Sequence, residues 1–223
     1  MLGRTDFGEA DRIITFLTPD HGKVRGVARG VRKQKSKLAG GIELFSVSDV
    51  SFLVGKGELY TVMSTRLQKY YSQIVNDLDR STAAFEFIKL LNKATEEHPE
   101  LDYFDLLNTA FAALDNPDVG LDLIYVWFSA QLLRLAGQSP DLRTEPDGTK
   151  LVPDQAYDFN FDAMAFRSAK VTKRSFNSDH IKFLRLIFSS NLPTALQKVQ
   201  GSSELTKQLR PLLQSILSSF VQI

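Results

Sequence analysis

The segment from Lys23 to Lys37 reads Lys-Val-Arg-Gly-Val-Ala-Arg-Gly-Val-Arg-Lys-Gln-Lys-Ser-Lys. It holds seven cations, Lys23, Arg25, Arg29, Arg32, Lys33, Lys35 and Lys37, and no acid. Closely spaced Lys and Arg bind phosphates, because each neutralised phosphate releases condensed counterions. The chemistry on offer is therefore polyanion binding. The first part places Lys23, Arg25 and Arg29 along a strand. The second part, Arg32 to Lys37, reads as a flexible basic loop able to follow an irregular phosphate backbone. The competing reading is a solubilising sheet edge, where lysines discourage strand pairing. Seven cations without a counter-charge disfavour it.

A second basic region runs from Arg167 through Lys170 and Lys173 to Arg174, joined by Lys182, Arg185, Lys198, Lys207 and Arg210. It reads either as an extension of the same phosphate path or as ordinary helix-surface charge. Arg134 stands at the end of an apolar run, where a cation suits a helix C-terminus. The net charge of +1 conceals blocks of opposite sign: residues 1–70 carry +5, residues 71–160 carry −10 and residues 161–223 carry +6. Such blocks predict faces of opposite sign, with polyanions confined to the basic ones.

Other chemistries find little support. His21, His98 and His180 stand far apart, without the paired spacing of metal ligands. Cys is absent, which removes disulfides, Cys-ligated zinc, iron–sulfur clusters and a thiol nucleophile. It fits a reducing cytoplasm. Neither a G-x-S-x-G elbow nor a Walker loop occurs. Gly22, Gly26 and Gly30 recur on a predicted strand, where bending is the better reading than a phosphate cradle. Carboxylate pairs such as Glu96/Glu97 read as a solvated helix face. No apolar run reaches the roughly 18 residues of a membrane span. No catalytic residue, metal or cofactor is expected.

The elements that must position these residues change character along the 223-residue chain. Hydrophobic residues at 43% and charged residues at 24% are those of a folded globular protein. Arg12 to Leu17, Val24 to Val31, Ile42 to Val54 and Leu59 to Met63 read as strands. Gly55-Lys56-Gly57-Glu58 is the turn between the last two. Phase slips within Ile42 to Val54 predict bulges in a bent strand. From Gln68 the pattern is helical. Asp79 or Ser81 is a candidate N-cap for the helix through Ala83, Phe87, Leu90 and Leu91, and Tyr103 to Leu114 carries a second stripe. Leu121 to Ala136 is apolar nearly all round and ends at Gly137. Residues 138–160 read as an irregular excursion. Helices Asp179–Ser189 and Glu204–Phe220 follow, with Ser178 and Ser203 as candidate caps and Pro211 as a kink or interruption inside the last. The fold class is α+β: a curled sheet or barrel over 1–66, then an all-helical domain over 67–223. Phe7, Phe16, Phe45, Phe52 and Tyr60 lie in the β region. Most are expected in its core, and none is singled out for stacking.

Gly3-Arg4-Thr5-Asp6-Phe7-Gly8-Glu9-Ala10-Asp11-Arg12-Ile13, then Thr18-Pro19-Asp20-His21-Gly22-Lys23, Ala28-Arg29-Gly30 and Ser36-Lys37-Leu38 occur in order. Together they resemble the N-terminal signature of the RecO family of bacterial DNA repair and recombination mediators. Phe128 with Leu132-Leu133-Arg134-Leu135-Ala136-Gly137, then Pro140 and Leu142, resembles that family's central helix and its exit. The resemblance implies an OB-fold followed by a helical domain, with binding of single- and double-stranded DNA and annealing of complementary strands. It also implies RecR as a partner, docking of the SSB C-terminal tail, RecA as an indirect partner loaded onto SSB-coated DNA, and a cytoplasmic, nucleoid-associated location. The cations of Lys23 to Lys37 would then hold DNA. Arg167, Lys170, Lys173, Arg174 and Arg210 become candidates for a second DNA contact or for the SSB tail. Two features depart from the family. Its Cys-ligated zinc would fall at Arg143 to Lys150, where a turn at Pro146-Asp147-Gly148 is expected instead. The family's apolar strand before Gly3-Arg4-Thr5-Asp6 is reduced to Met1 and Leu2, so either the start is placed late or the first barrel strand is cut short. The alternatives are an OB-fold interaction adaptor that does not touch DNA and an RNA-binding OB-fold protein.

Overall fold

The structure, a computed structural model, describes residues 1–55, 57–95, 102–172 and 175–221. Lys56 of the expected turn, Glu96, Glu97, His98, Lys173 and Arg174 lie outside the described residues. The chain forms two compact units, Met1–Pro117 and Asp118–Ile223.

The first unit opens with five strands: β1 Gly3–Phe7, β2 Asp11–Thr18, β3 Gly22–Ala28, β4 Ser46–Leu53 and β5 Tyr60–Tyr70. Their order in the sheet is β1-β2-β3-β5-β4, antiparallel except for the β3–β5 contact at Gly26↔Tyr60 and Val27↔Thr61. This is the order of an OB-like Greek-key sheet. One face of the curled sheet is apolar. Ile14, Phe16, Ala28, Val31, Ile42 and Val62 form its core, with Leu38, Val50 and Phe52 packed against it. Gly26 is needed where β3 crosses β5: a Cβ there would lie 2.9 Å from Val62 Cγ2 and 3.1 Å from Phe52 Cε1.

The bulges fall on the partner of the strand that predicted them. The β4–β5 register shifts between Val47 and Ser48 and again between Ser51 and Phe52, which leaves Gln68 and Met63 of β5 as the extra residues. The predicted strand Ile42 to Val54 is also shorter than expected. A one-turn 3₁₀ helix, Ala39–Gly41, precedes Ile42, and the strand starts only at Ser46. The physical reason lies at Phe45, whose φ of +53° breaks the extended chain. Its ring is thereby set edge-on to Phe85 and Phe111, with centroids 5.0 and 5.6 Å away. In compensation β5 runs on to Tyr70, past the expected start of the helices.

Three helices complete this unit: α1 Ser72–Asn76, α2 Leu78–Ala94 and α3 Asp102–Leu114. The N-cap of α2 is Asp77, earlier than expected. Its carboxylate accepts from the N–H groups of Asp79 and Arg80. Buried Tyr71 donates its hydroxyl to Asn108 Oδ1 at 2.6 Å and so ties the end of β5 to α3.

The second unit is built on α4, Leu121–Leu135, whose residues from Leu123 to Leu133 are all buried. It packs with α5 (Ser178–Ser189), α6 (Pro193–Leu196) and α7 (Ser202–Val221). Gly137 ends α4 as predicted. At φ +70° it lets the Gln138 N–H reach back to the Leu133 carbonyl at 2.8 Å. Pro211 does not interrupt α7, which continues as one helix on both sides of it. Asn177, not Ser178, caps α5, in a reciprocal box with His180. The turn at Pro146-Asp147-Gly148 forms, closed by Gly148 N–H to Glu145 O at 2.9 Å. Beyond it the unit carries a two-stranded hairpin, β6 Tyr157–Asn160 and β7 Ala165–Ser168, which short runs beside a Pro- and Asp-rich stretch did not announce. Among the described residues no three His, Cys, Asp or Glu side chains cluster to hold a metal ion. No described helix is long and apolar enough to cross a membrane.

Candidate nucleic-acid interface

Strand β3 alternates strictly. Val24, Gly26 and Ala28 turn into the sheet's core, so Lys23, Arg25 and Val27 face the other way. Arg25, Arg29, Arg32, Lys33, Lys35 and Lys37 are all exposed, whereas Lys23 is half-buried. Lys23 has separate partners. Its Nζ donates to the carbonyls of Asn92 and Thr95, at 2.9 and 2.5 Å, at the C-terminal end of α2. A cation there meets both unsatisfied carbonyls and the negative end of the helix dipole.

The loop after β3 is a chain of turns. Lys33 N–H reaches Gly30 O at 3.1 Å and Ser36 N–H reaches Lys33 O at 3.0 Å. Val31 is buried in the sheet's core and anchors the loop from below. Two bonds pin it to the first residue of β2 and to the turn before it. Asp11 Oδ1 accepts from Gly30 N–H at 2.7 Å, and Ala10 O accepts from Arg32 N–H at 2.9 Å. The far end is held where Thr65 Oγ1 donates to Leu38 O at 3.0 Å. Asp6 joins Arg12 at 2.8 Å and Arg32 at 3.5 Å. The Arg12 hydrogen bond, aided by Arg32 and Arg4, holds the Asp6 carboxyl below the usual carboxylate range. Among the described residues Arg32 is the only one of the six exposed cations in an ion pair. Asp6 and Asp11 thus orient the loop, while Arg25 on β3 and Arg29, Lys33, Lys35 and Lys37 beyond it face solvent.

Among the described residues the second basic region is divided between the β6–β7 hairpin and the helices. Arg167 lies on β7 directly across from Asp158 and near Asp147, and Lys170 is exposed beyond it. Arg210 sits elsewhere, paired with Asp122 and stacked 4.4 Å over the Tyr125 ring, where it clamps α7 to α4. Arg185 of this region converges instead with Arg134 and Arg143. Arg134, Arg143 and Arg185 line a groove of about 500 Å³ whose apolar wall is Pro140, Leu142 and Phe188. Arg185 donates through Nε and Nη2 to the Leu142 carbonyl, at 2.9 and 2.6 Å, which sets it at the groove's edge. Asp141 also lines the groove. The Thr144 hydroxyl and the Arg143 and Thr144 N–H groups saturate its carboxylate and hold its pKa down. The sequence offered Arg134's position at the helix end and Arg185's place in the second basic region, but nothing that joined them to Arg143 in one site.

The fold and the pinned basic loop define an OB-fold protein with a helical C-terminal region. The family model described as Recombination protein O N terminal matches residues 1–71, and that described as Recombination protein O C terminal matches residues 75–222. The chain belongs to the RecO family. A protein of Dehalococcoides mccartyi strain 195 named DNA repair protein RecO is 38% identical over 144 residues, 64% of this chain and 56% of that protein. One of the same name from Streptomyces coelicolor is 38% identical over 148 residues, 63% of this chain and 60% of its own. A third, from Desulfatibacillum aliphaticivorans, is 32% identical over 145 residues, 64% of this chain and 56% of its own. The matched stretch spans a little over half the length of these relatives.

Proposed function

We propose that this chain acts in DNA repair as a non-enzymatic recombination mediator. On this reading it binds single- and double-stranded DNA, anneals complementary strands and helps load RecA onto SSB-coated DNA. The observation that carries the reading is the cation cluster: Arg25, Arg29, Arg32, Lys33, Lys35 and Lys37 are exposed on and just after β3, and among the described residues only Arg32 is in an ion pair. Phosphates carry no base code, so affinity is nearly independent of sequence. Cations that neutralise two strands at once also reduce their repulsion, a route to annealing that needs no ATP.

The test is binding to labelled single-stranded DNA across a salt series. Beside it runs a variant with Arg29, Arg32, Lys33, Lys35 and Lys37 changed to Ala. Five phosphate contacts give a log–log slope of about −3.5, which flattens in the variant. Absence of binding at low salt favours the adaptor reading instead. Competition between matched DNA and RNA strands separates the RNA-binding alternative.

The groove between Arg134, Arg143 and Arg185 supports a protein partner. Its guanidinium groups and apolar wall suit a peptide that is acidic and ends in apolar residues, which is the chemistry of the SSB tail. RecR is proposed on the family resemblance alone.

A further inference from the structure

We propose that Phe7 is a base-stacking residue of this interface, an inference that rests on the DNA-binding reading of the basic loop. Of the aromatic residues on the five strands, Phe7 on β1 and Tyr70 at the far end of β5 are exposed. Phe16 and Phe45 are buried, and Phe52 packs edge-on against Phe16 and Tyr60. Phe7 is 52% exposed although a phenylalanine so placed gains nothing from the core.

Its position on the sheet gives that exposure meaning. Residues directly opposite one another on antiparallel strands share a face. Phe7 lies across from Asp11, Gly3 across from Thr15, and Thr15 across from Arg25. Asp11 and Thr15 alternate on the same side of β2, so Phe7 and Arg25 belong to one face, opposite to the face of Ile14, Phe16 and Ala28. The β2–β3 register, carried one step past Arg12↔Ala28, sets Arg29 beside Asp11 and two strand spacings, about 10 Å, from Phe7. The other end of this face, at Lys23, is tied to the α2 carbonyls, so the Phe7–Arg29 end is the part left for a ligand.

Charge then orients a strand across it. Phosphates are drawn toward Arg25, Arg29 and the loop. They are kept from β1 by the carboxylate of Asp11, which lies between. The bases of that strand project toward the β1 edge, where Phe7 offers an apolar ring. Base–aromatic stacking is tolerant of sequence, because every base has a π-face, and so it fits a binder without a base code.

The experiment compares a thymidine oligonucleotide with an abasic deoxyribose-phosphate strand of the same length, on the full chain and on Phe7→Ala and Phe7→Tyr. The native chain should prefer the base-bearing strand by about tenfold, within the range of one stacked base. Phe7→Ala should lose that preference while its salt slope stays native, and Phe7→Tyr should keep it. Circular dichroism of each variant checks the fold. Native preference for the base-bearing strand in Phe7→Ala overturns the assignment while leaving the loop as the phosphate site. Equal binding of the two strands by the native chain overturns it as well. Failure of the native chain to bind either strand removes the DNA-binding reading and this inference together.

Discussion

Asp11 and Gly30 are joined by a 2.7 Å hydrogen bond from the glycine N–H to the aspartate Oδ1. The bond crosses from the first residue of β2 to the start of the basic loop. Gly30 has a φ of +64°, a conformation that only glycine adopts at low cost, and its N–H is thereby presented to the carboxylate. A carboxylate placed among cations would ordinarily cancel one of them. Here the backbone takes up one of its oxygens, and the charges of Arg29, Lys33, Lys35 and Lys37 stay outside any ion pair among the described residues.

Asp11→Ala should therefore loosen the loop before it weakens the fold. A charge-assisted hydrogen bond at a half-buried site contributes about 1–2 kcal/mol. The expected outcome in urea titration is a loss of that size. Limited trypsin digestion should show faster cleavage after Arg29 and Arg32. Asp11→Asn keeps an acceptor and should fall between native and Ala.

Asp6 carries the acid sensitivity of the same frame. Its carboxyl is held below its ordinary value of 3.8, first by the Arg12 hydrogen bond and then by the charges of Arg32, Arg12 and Arg4. A group whose pKa is depressed by folding stabilises the folded state above its unfolded pKa. That stabilisation disappears as pH falls through the folded value. The contribution of Asp6 is thus constant at neutral pH and lost only below about pH 4. A carboxyl-carbon NMR titration should place Asp6 below the ordinary aspartate value of 3.8. Arg12→Ala should move it back up.

Gly26→Ala tests the crossing of β3 and β5. The new methyl would meet Val62 Cγ2 at 2.9 Å and Phe52 Cε1 at 3.1 Å, in a packed core. Overpacking of this kind costs about 1–3 kcal/mol. The thermal midpoint should drop accordingly. Pairing the change with Val62→Ala, which frees the space, should restore part of it over the Val62→Ala background.

The groove of the second unit makes a separate prediction. A short peptide rich in Asp and ending in Phe should bind the full chain, and Arg143→Ala should weaken it about fivefold to tenfold. A charge-assisted contact at a partly exposed rim is worth about 1 kcal/mol. Titration calorimetry at two salt concentrations reads this directly. Arg167→Ala, on the hairpin across from Asp158, should leave the peptide affinity unchanged.

Arg25 shows what local sequence can reveal. Alternation of Val24, Gly26 and Ala28 against Lys23 and Arg25 is a period-two signal, and burial follows it in the structure. Lys23 shows where such reasoning stops. It has the same charge and the same face as Arg25, yet its amine ends on carbonyls 69 and 72 positions further along the chain. The three arginines of the groove share no spacing that marks them as one site, since α4, the loop after it and α5 each supply one.

Periodicity, glycine placement and charge runs are properties of neighbouring residues. By itself the sequence therefore determined the β-then-α order, the end of α4 at Gly137, the turn at Pro146-Asp147-Gly148 and the run of cations from Lys23 to Lys37. It also carried enough spaced pieces to point to the family. Only the tertiary structure decided which cations face solvent, which acid holds the loop, and that the loop is a series of turns. It decided too that Phe45 leaves the strand for a place between Phe85 and Phe111, and that Phe7 is left exposed on β1 while Phe16 and Phe45 are buried. These outcomes depend on partners brought together by folding. Their energies of about 1–3 kcal/mol each override local preference without leaving a local mark.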